Sequence, residues 1–385
     1  MIDLFFDLIR VAVGVADRLS RVPTEDEWEQ LFDMANKQAL VGVCMSGVEH
    51  LPNSQWPPMM LKYQWIAYTS SIEDTNKTQI QQCEELTERF AAAGFRTCVL
   101  KGQSNGELYK VKRAGQGKPV AEDLGLRRQS GDIDLWVEGK RKAIVRFLRQ
   151  TGDVGEVVYH HIDFHCYEDT AIEVHTTPTW MYSPAKNSRL QAFFAAHADD
   201  CFSGAVKRHS GRPAHRFNVP TWEVNVVFQL SHIFRHAFNE GVGLRQVMDY
   251  YFLLLQRADR ADMTEANSAL DDGHRLEMVL RRLGLYKFAT ALMWVLGEVF
   301  RLETTKMIVR PDEKEGRWLL DEIVNGGNFG HFGGTTYYKG GTWHSFVQKN
   351  RRNLRLLTRY PGETLWAPAW RTWHFVWRKL NGRVL

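Results

Sequence analysis

Ser130-Gly131-Asp132-Ile133-Asp134-Leu135-Trp136-Val137 is the stretch whose reading decides the fold. Its side chains alternate in character, and strand side chains alternate between faces, so it reads as a β-strand. Asp132 and Asp134 then share one face, and Ile133, Leu135 and Val137 the other. Two carboxylates side by side on a strand repel each other and cost stability. The commonest purpose of such a pair is to hold a divalent cation. Hard oxygen donors suit Mg²⁺, which completes its shell with waters and substrate phosphates. The competing expectation is an edge strand with a solvated acidic face.

Upstream, residues 1–95 read as helical. Thr24-Glu25-Asp26-Glu27 supplies an N-cap and an acidic first turn for a helix to about residue 42. Pro57-Pro58 breaks the pattern, and a long helix follows over 59–93 with Gly94 as its C-terminal cap. At Phe95 the period changes. Residues 95–100 read as a strand that stops at Lys101-Gly102 and feeds a short helix over 103–111. A strand that ends at a glycine before a helix N-terminus can seat an anionic phosphate, and Lys101 adds a point charge there. Residues 112–127 are polar and marked by Gly and Pro, which predicts a surface loop.

Downstream, a helix over 140–151 precedes two strands, 157–167 and 171–176, joined at Glu168-Asp169-Thr170. His161, Asp163 and His165 share one face of the first strand; Glu173 and His175 share one face of the second. Matching apolar with apolar residues sets Tyr167 opposite Ala171, Glu173 opposite His165 and His175 opposite Asp163. If the Asp132/Asp134 strand lies beside this hairpin, carboxylates from separate strands converge. A three-histidine zinc site can be drawn from His161, His165 and His175. Its spacing matches no recognised zinc pattern, so hydrogen bonds to the carboxylates or contacts to an acceptor are the expected roles.

The length of 385 residues suits two or three domains, and the composition, 44% hydrophobic and 24% charged, is that of an ordinary globular protein. The formal charge of +4 is unevenly placed: residues 341–385 hold nine basic side chains and one acidic, Glu363. Five cysteines without a Cys-x-x-Cys pair signal neither a disulfide framework nor a cysteine zinc site, and fit a reducing cytoplasm. The apolar start of the chain carries two Asp and no basic region, so it reads as an amphipathic helix and not a signal peptide.

Three elements in order, Leu100-Lys101-Gly102, Ser130-Gly131-Asp132-Ile133-Asp134-Leu135 and Ile172-Glu173-Val174-His175, resemble the signature of the polymerase-beta-like nucleotidyltransferase superfamily. The Lys-Gly start, Arg128 shortly before Gly-Asp-Ile-Asp, and Glu-x-His resemble more narrowly an uncharacterised bacterial nucleotidyltransferase family. That narrower resemblance extends through His232-Ile233-Phe234-Arg235-His236 and Gly243-Leu244-Arg245-Gln246-Val247-Met248-Asp249. Two features depart from the superfamily pattern: Gln103 follows Gly102 where Ser or Gly is usual, and the gap to Asp132 is long. The resemblance implies transfer of a nucleoside monophosphate from an NTP such as ATP to an acceptor hydroxyl, with release of pyrophosphate. It implies Mg²⁺ or Mn²⁺ held by Asp132, Asp134 and Glu173, and an NTP contacted by Lys101, Gly102, Arg128 and Ser130. The acceptor is open: protein, RNA, sugar and small molecule all fit.

The expected fold is α+β, a small mixed β-sheet nucleotidyltransferase core (95–218) flanked by an N-terminal helical domain (1–94) and a C-terminal helical domain (219–385). In the last of these, His232 and His236 read as a polar pair at a domain interface, and they lack the Glu of a metalloprotease motif. Arg245 and Asp249 read most simply as an i,i+4 ion pair, with the resemblance adding a nucleobase or acceptor contact. His161, Asp163, His165 and His175 are further candidates for acceptor contacts or support of the carboxylates. The glycine-rich segment 326–334 reads as a connector. Over 341–385 aromatic and basic side chains interleave. They suit packing onto the helical domain, a peripheral membrane contact or a nucleic-acid contact. Two rival functions remain: a non-catalytic protein of the same fold docking through that tail, and a zinc-dependent hydrolase.

Overall fold

The computed structural model describes residues 1–113, 120–203, 216–239, 241–261, 266–326, 347, 350–351 and 353–381. The segments 114–119, most of the glycine-rich stretch and the start of the basic tail lie outside these residues.

The chain is an α+β protein. Its N-terminal helices are α1 (Ile2–Ala12), α2 (Glu25–Lys37), α3 (Val41–His50) and α4 (Met59–Ala92). Thr24 caps α2 through a reciprocal box with Glu27, satisfying two backbone donors at its start. The helix expected to run to residue 42 instead stops at Lys37. Ala39 adopts a left-handed backbone (φ 54°) that no continuing helix allows, and α3 starts afresh.

Five strands follow: β1 (Thr97–Val99), β4 (Ile133–Val137), β5 (Asp153–Val157), β6 (His161–His165) and β7 (Ile172–His175). They form one mixed sheet in the order β1-β4-β7-β6-β5, in which only β4 and β7 run parallel. β4 is therefore interior, and the acidic edge strand is excluded. The strand expected over 157–167 is the shorter β6, and Val157 instead ends β5, an unexpected strand that pairs antiparallel with it. A Cβ on Gly155 of β5 would meet the His165 ring, with Nε2 at 2.4 Å, so a larger residue there would push that exposed side chain aside.

The expected surface loop over 112–127 contributes a two-stranded ribbon, β2 (Lys110–Arg113) and β3 (Val120–Asp123). Its charges are cross-strand partners: Lys110 pairs with Asp123 and Arg113 with Glu122. Arg113 also donates to the carbonyls of Val11 and Ala12 at 2.9 Å, closing the C-terminus of α1. The short helix expected over 103–111 is only one turn, α5 (Gln103–Gly106). α6 (Arg141–Thr151) covers the sheet. α7 (Pro184–Ala196) begins at a proline, which suits a first helical turn. α8 (Ala198–Phe202), α9 (Trp222–Asn239), α10 (Leu244–Ala261), α11 (Ala266–Leu283), α12 (Tyr286–Phe300), α13 (Glu313–Gly326) and α14 (Pro361–Asn381) complete the described chain.

The sheet separates two apolar clusters. Ile133, Leu135 and Val137 of β4 join Ile162, Phe164, Ile172 and Val174 under one face, closed by Leu86 and Phe90 of α4 and by Ile144 and Leu148 of α6. Trp136 belongs to the larger cluster on the other face, which runs from α1 and α3 through α9, α10 and α12. We propose 1–94, 95–218 and 219–385 as the units of the chain, and they are firmly packed together. Arg10 of α1, for example, donates to Val299 O and Glu298 O of α12 at 3.2 and 2.6 Å.

Candidate active site

Strand alternation puts Asp132, Asp134 and Trp136 on the sheet face opposite Ile133 and Leu135. The parallel pairing sets Asp134 beside Glu173 and Trp136 beside His175. On the other side of β7 the antiparallel register sets Glu173 opposite Asp163 and His175 opposite His161. The expected register, with Glu173 opposite His165, is thus corrected by two positions. The β6–β7 connection spans residues 166–171 and not three residues. A shift of two leaves every side chain on its own face, so the polar face itself is formed as expected. His165 keeps that face but lies beyond the pairing with β7, opposite Asp153 of β5, where it is exposed and away from the Glu173 cluster. The three-histidine zinc arrangement is therefore not formed.

One ligand atom each from Asp132, Asp134 and Glu173 lies within 4.8 Å of the others, and His161, Glu173 and His175 form a second such group. Asp134 is fully buried. Its Oδ1 is 2.9 Å from His175 Nε2 and its Oδ2 is 3.1 Å from Lys101 Nζ. Lys101 Nζ is also 3.7 Å from Asp132 Oδ2. Glu173 Oε2 is 3.2 Å from His175 Nε2 and 3.0 Å from His161 Nδ1, whose Nε2 is 3.3 Å from Asp163 Oδ1.

Burial and the neighbouring Asp134 push the Asp132 carboxyl up, against the pull of Lys101. Burial also works to raise Glu173, but its bonds to His161 and His175 outweigh it and hold the carboxylate far below the usual range. Glu173 therefore stays ionised, as a ligand must. Burial opposes the charge of Lys101, yet Asp132, Asp134 and Glu173 together raise its pKa. His175 is likewise disfavoured by burial and raised on balance by Asp134 and Glu173. His161, pulled down by burial, is lifted to about 9 by Asp163 and Glu173.

A buried, oxygen-rich site that draws an ammonium and two imidazoles to its carboxylates is one with excess negative charge, and oxygen donors at this spacing fit a hard divalent cation. Asp132, Asp134 and Glu173 are the residues that would hold it.

Lys101 stands beside Asp134 because the strand pairing continues one residue beyond β1: Leu100 N donates to Asp134 O at 2.9 Å. Gly102 then turns with φ 74°, a conformation that favours glycine, within 3.5 Å of Asp132 O for an added Cβ. Ser130, half-buried, leads directly into Gly131 and Asp132.

The approach to Asp132 is fixed from two helices. On α4, Asn76 donates to Leu126 O and Arg128 O at 2.7 and 2.8 Å, and Gln79 to Gly131 O at 2.8 Å. On α10, Asp249 accepts two bonds from Arg128, at 2.6 and 2.7 Å, and one from Tyr109 at 2.6 Å. The carboxylate of Asp249 is thus bonded to Arg128 across 121 residues, where an i,i+4 partner was expected; Arg245 reaches Gln129 O at 2.8 Å. Arg128, expected at phosphate, is committed to that buried pair.

His232 and His236 lie on α9, buried, with their Nε2 atoms 2.9 Å apart. Burial and the positive charge of Lys101 hold His232 well below its ordinary pKa, so it is neutral. Asn76, Gln79 and Tyr109 escaped the sequence reading. Each sits inside a helix or apolar stretch with no local motif, and only the 126–131 segment packed against them reveals their use.

No curated protein and no solved structure matches the chain. A family model described as uncharacterised nucleotidyltransferase matches residues 24–301, which takes in all three signature elements and the helices α9 to α12. The chain belongs to this uncharacterised nucleotidyltransferase family, whose reaction class is nucleotidyl transfer.

Proposed function

We propose that the chain transfers a nucleoside monophosphate from an NTP to an acceptor hydroxyl, releasing pyrophosphate, with Mg²⁺ or Mn²⁺ at Asp132, Asp134 and Glu173. The observation that carries this reading is the convergence of those three carboxylates on one sheet face beside the Lys101-Gly102 turn. Bound divalent cations would supply charge neutralisation of the triphosphate and a more acidic acceptor hydroxyl. In-line displacement at phosphorus otherwise needs positioning. The interior position of β4 and the clamp on residues 126–131 hold Asp132 and Asp134 in place. The turn at Gly102 lets the triphosphate approach the backbone, and Lys101 exchanges its carboxylate partners for phosphate oxygens. His161 and His175 orient Glu173, while Asp163, His232, His236 and Arg245 stand around the acceptor side.

Calorimetry tests the reading without knowledge of the acceptor. ATP and the other NTPs should bind with Mg²⁺ present and lose most of their affinity in EDTA. A protein that binds no NTP under either condition contradicts it.

One observation favours a second role, for the C-terminal helix. The inner face of α14 is packed: Trp370 stacks on Trp180 with ring centroids 3.6 Å apart, and Tyr159 N donates to His374 Nε2 at 3.2 Å. Leu365, Trp366, Trp373, Val376 and Leu380 share the outer face and are between 46% and 68% exposed. The one acidic residue of α14, Glu363, is buried, so the helix itself turns no carboxylate outward. An apolar stripe with tryptophans in a basic segment suits an anionic bilayer surface, lying in its plane. Among the described residues no helix is long and apolar enough to cross a membrane. The protein should co-sediment with phosphatidylglycerol-containing vesicles, and Trp373→Ser/Leu380→Ser should remain in the supernatant. Equal sedimentation of both proteins removes this role.

A further inference from the structure

The cluster at Glu173 contains nitrogen donors that nucleotidyl transfer does not call for. His161 presents Nδ1 to Glu173 Oε2 at 3.0 Å and Nε2 to Asp163 Oδ1 at 3.3 Å. His175 presents Nε2 to Glu173 Oε2 at 3.2 Å and to Asp134 Oδ1 at 2.9 Å, with Nδ1 3.4 Å from Thr177 O. His175 thus has a carbonyl behind its outer nitrogen and carboxylates in front of the inner one, while His161 brings its two nitrogens within 3.0 and 3.3 Å of carboxylate oxygens. Metal-bound imidazoles have this arrangement: the outer N–H is held by a carboxylate or carbonyl, which fixes the tautomer and turns the inner lone pair toward the ion. The spacing agrees. Donors bound at about 2.0–2.2 Å to one ion stand about 3 Å apart along the edges of its polyhedron. The inner nitrogens and Glu173 Oε2 are separated by that distance. His175 is 1% exposed, so its donor atom faces the cluster and not solvent.

We propose that His161 Nδ1, His175 Nε2 and Glu173, with Asp134 Oδ1 at the edge, form a second cation site that takes a transition ion such as Zn²⁺ or Mn²⁺ in preference to Mg²⁺. Imidazole suits Zn²⁺ and is accepted by Mn²⁺ beside carboxylates, whereas Mg²⁺ keeps oxygen donors and waters. Asp134 joins the two sites, with Oδ1 on the imidazole side and Oδ2 on the side of Lys101 and Asp132. The site shares Glu173 and Asp134 with the cation of the proposed function, but it rests on donor geometry and its test needs no nucleotidyl transfer.

The test is made on metal-stripped full-length protein titrated with Mn²⁺ and followed by electron paramagnetic resonance. Bound Mn²⁺ should show hyperfine coupling to imidazole nitrogen in the wild-type protein and in Asp132→Asn. His161→Ala should lose that site, and Asp163→Asn should weaken it about 10–100-fold by freeing the outer nitrogen. Mn²⁺ bound without nitrogen coupling in the wild-type protein overturns the proposal. So does unchanged coupling and affinity in His161→Ala, which would place the nitrogen on a histidine elsewhere.

Discussion

Replacing Asp249 by alanine is expected to cost about 3–5 kcal/mol of folding stability, the range for removing one partner of a buried ion pair. Arg128 and Asp249 are joined by two bonds, at 2.6 and 2.7 Å, and each side chain is 6% exposed. A guanidinium cannot shed its proton to escape the interior. Without Asp249 it remains charged, buried and unmatched, and Tyr109 loses its acceptor. Urea denaturation measures the loss as a lower midpoint at unchanged slope. Arg128→Met/Asp249→Leu should recover much of it, because no buried charge is then left unmatched, although the Tyr109 hydroxyl still lacks its acceptor. A single-mutant loss below about 1 kcal/mol would mean that the pair is solvated and does not clamp the loop.

Converting Asp132 to asparagine should reduce nucleotidyl transfer by about 10³-fold, equivalent to about 4 kcal/mol of transition-state stabilisation. The amide keeps the shape and loses the charge that a divalent cation needs. Asp132 is the cleaner probe of the two aspartates, because its side chain is 28% exposed and that of Asp134 is fully buried. Asp134→Asn removes the same charge but also strands Lys101 and His175 beside a neutral group. That variant should therefore lose stability as well as activity. Comparing thermal unfolding with initial rates separates the two losses: Asp132→Asn should change the rate alone.

The parts of this fold written locally were legible. Strand alternation at 132–137 placed the carboxylates on one face and the apolar residues on the other, and Pro57-Pro58 with Gly94 bounded the long helix. Face assignment on β6 and β7 survived an error of two in register, since parity alone decides which side a strand residue faces. The turn length itself was not readable, because Glu168-Asp169-Thr170 suits a tight turn while the structure uses residues 166–171. Elements whose residues serve distant partners were hidden. β5 went unread because its partner, His161–His165, belongs to the next strand and its own apolar content is slight. Lys110, Arg113, Glu122 and Asp123 read as loop polarity because their pairing is visible only across the ribbon. Asp249 was assigned to Arg245 because an i,i+4 spacing can be seen in sequence, whereas a bond across 121 residues cannot.

Transfer of label from an α-labelled NTP tests the central claim most directly. Purified protein with Mg²⁺ or Mn²⁺ and a cell lysate as acceptor source is incubated with each NTP in turn. The account predicts label joined to an acceptor, pyrophosphate released, dependence on the divalent cation, and loss of both products in Asp132→Asn. Transfer that persists at the wild-type rate in Asp132→Asn would contradict it.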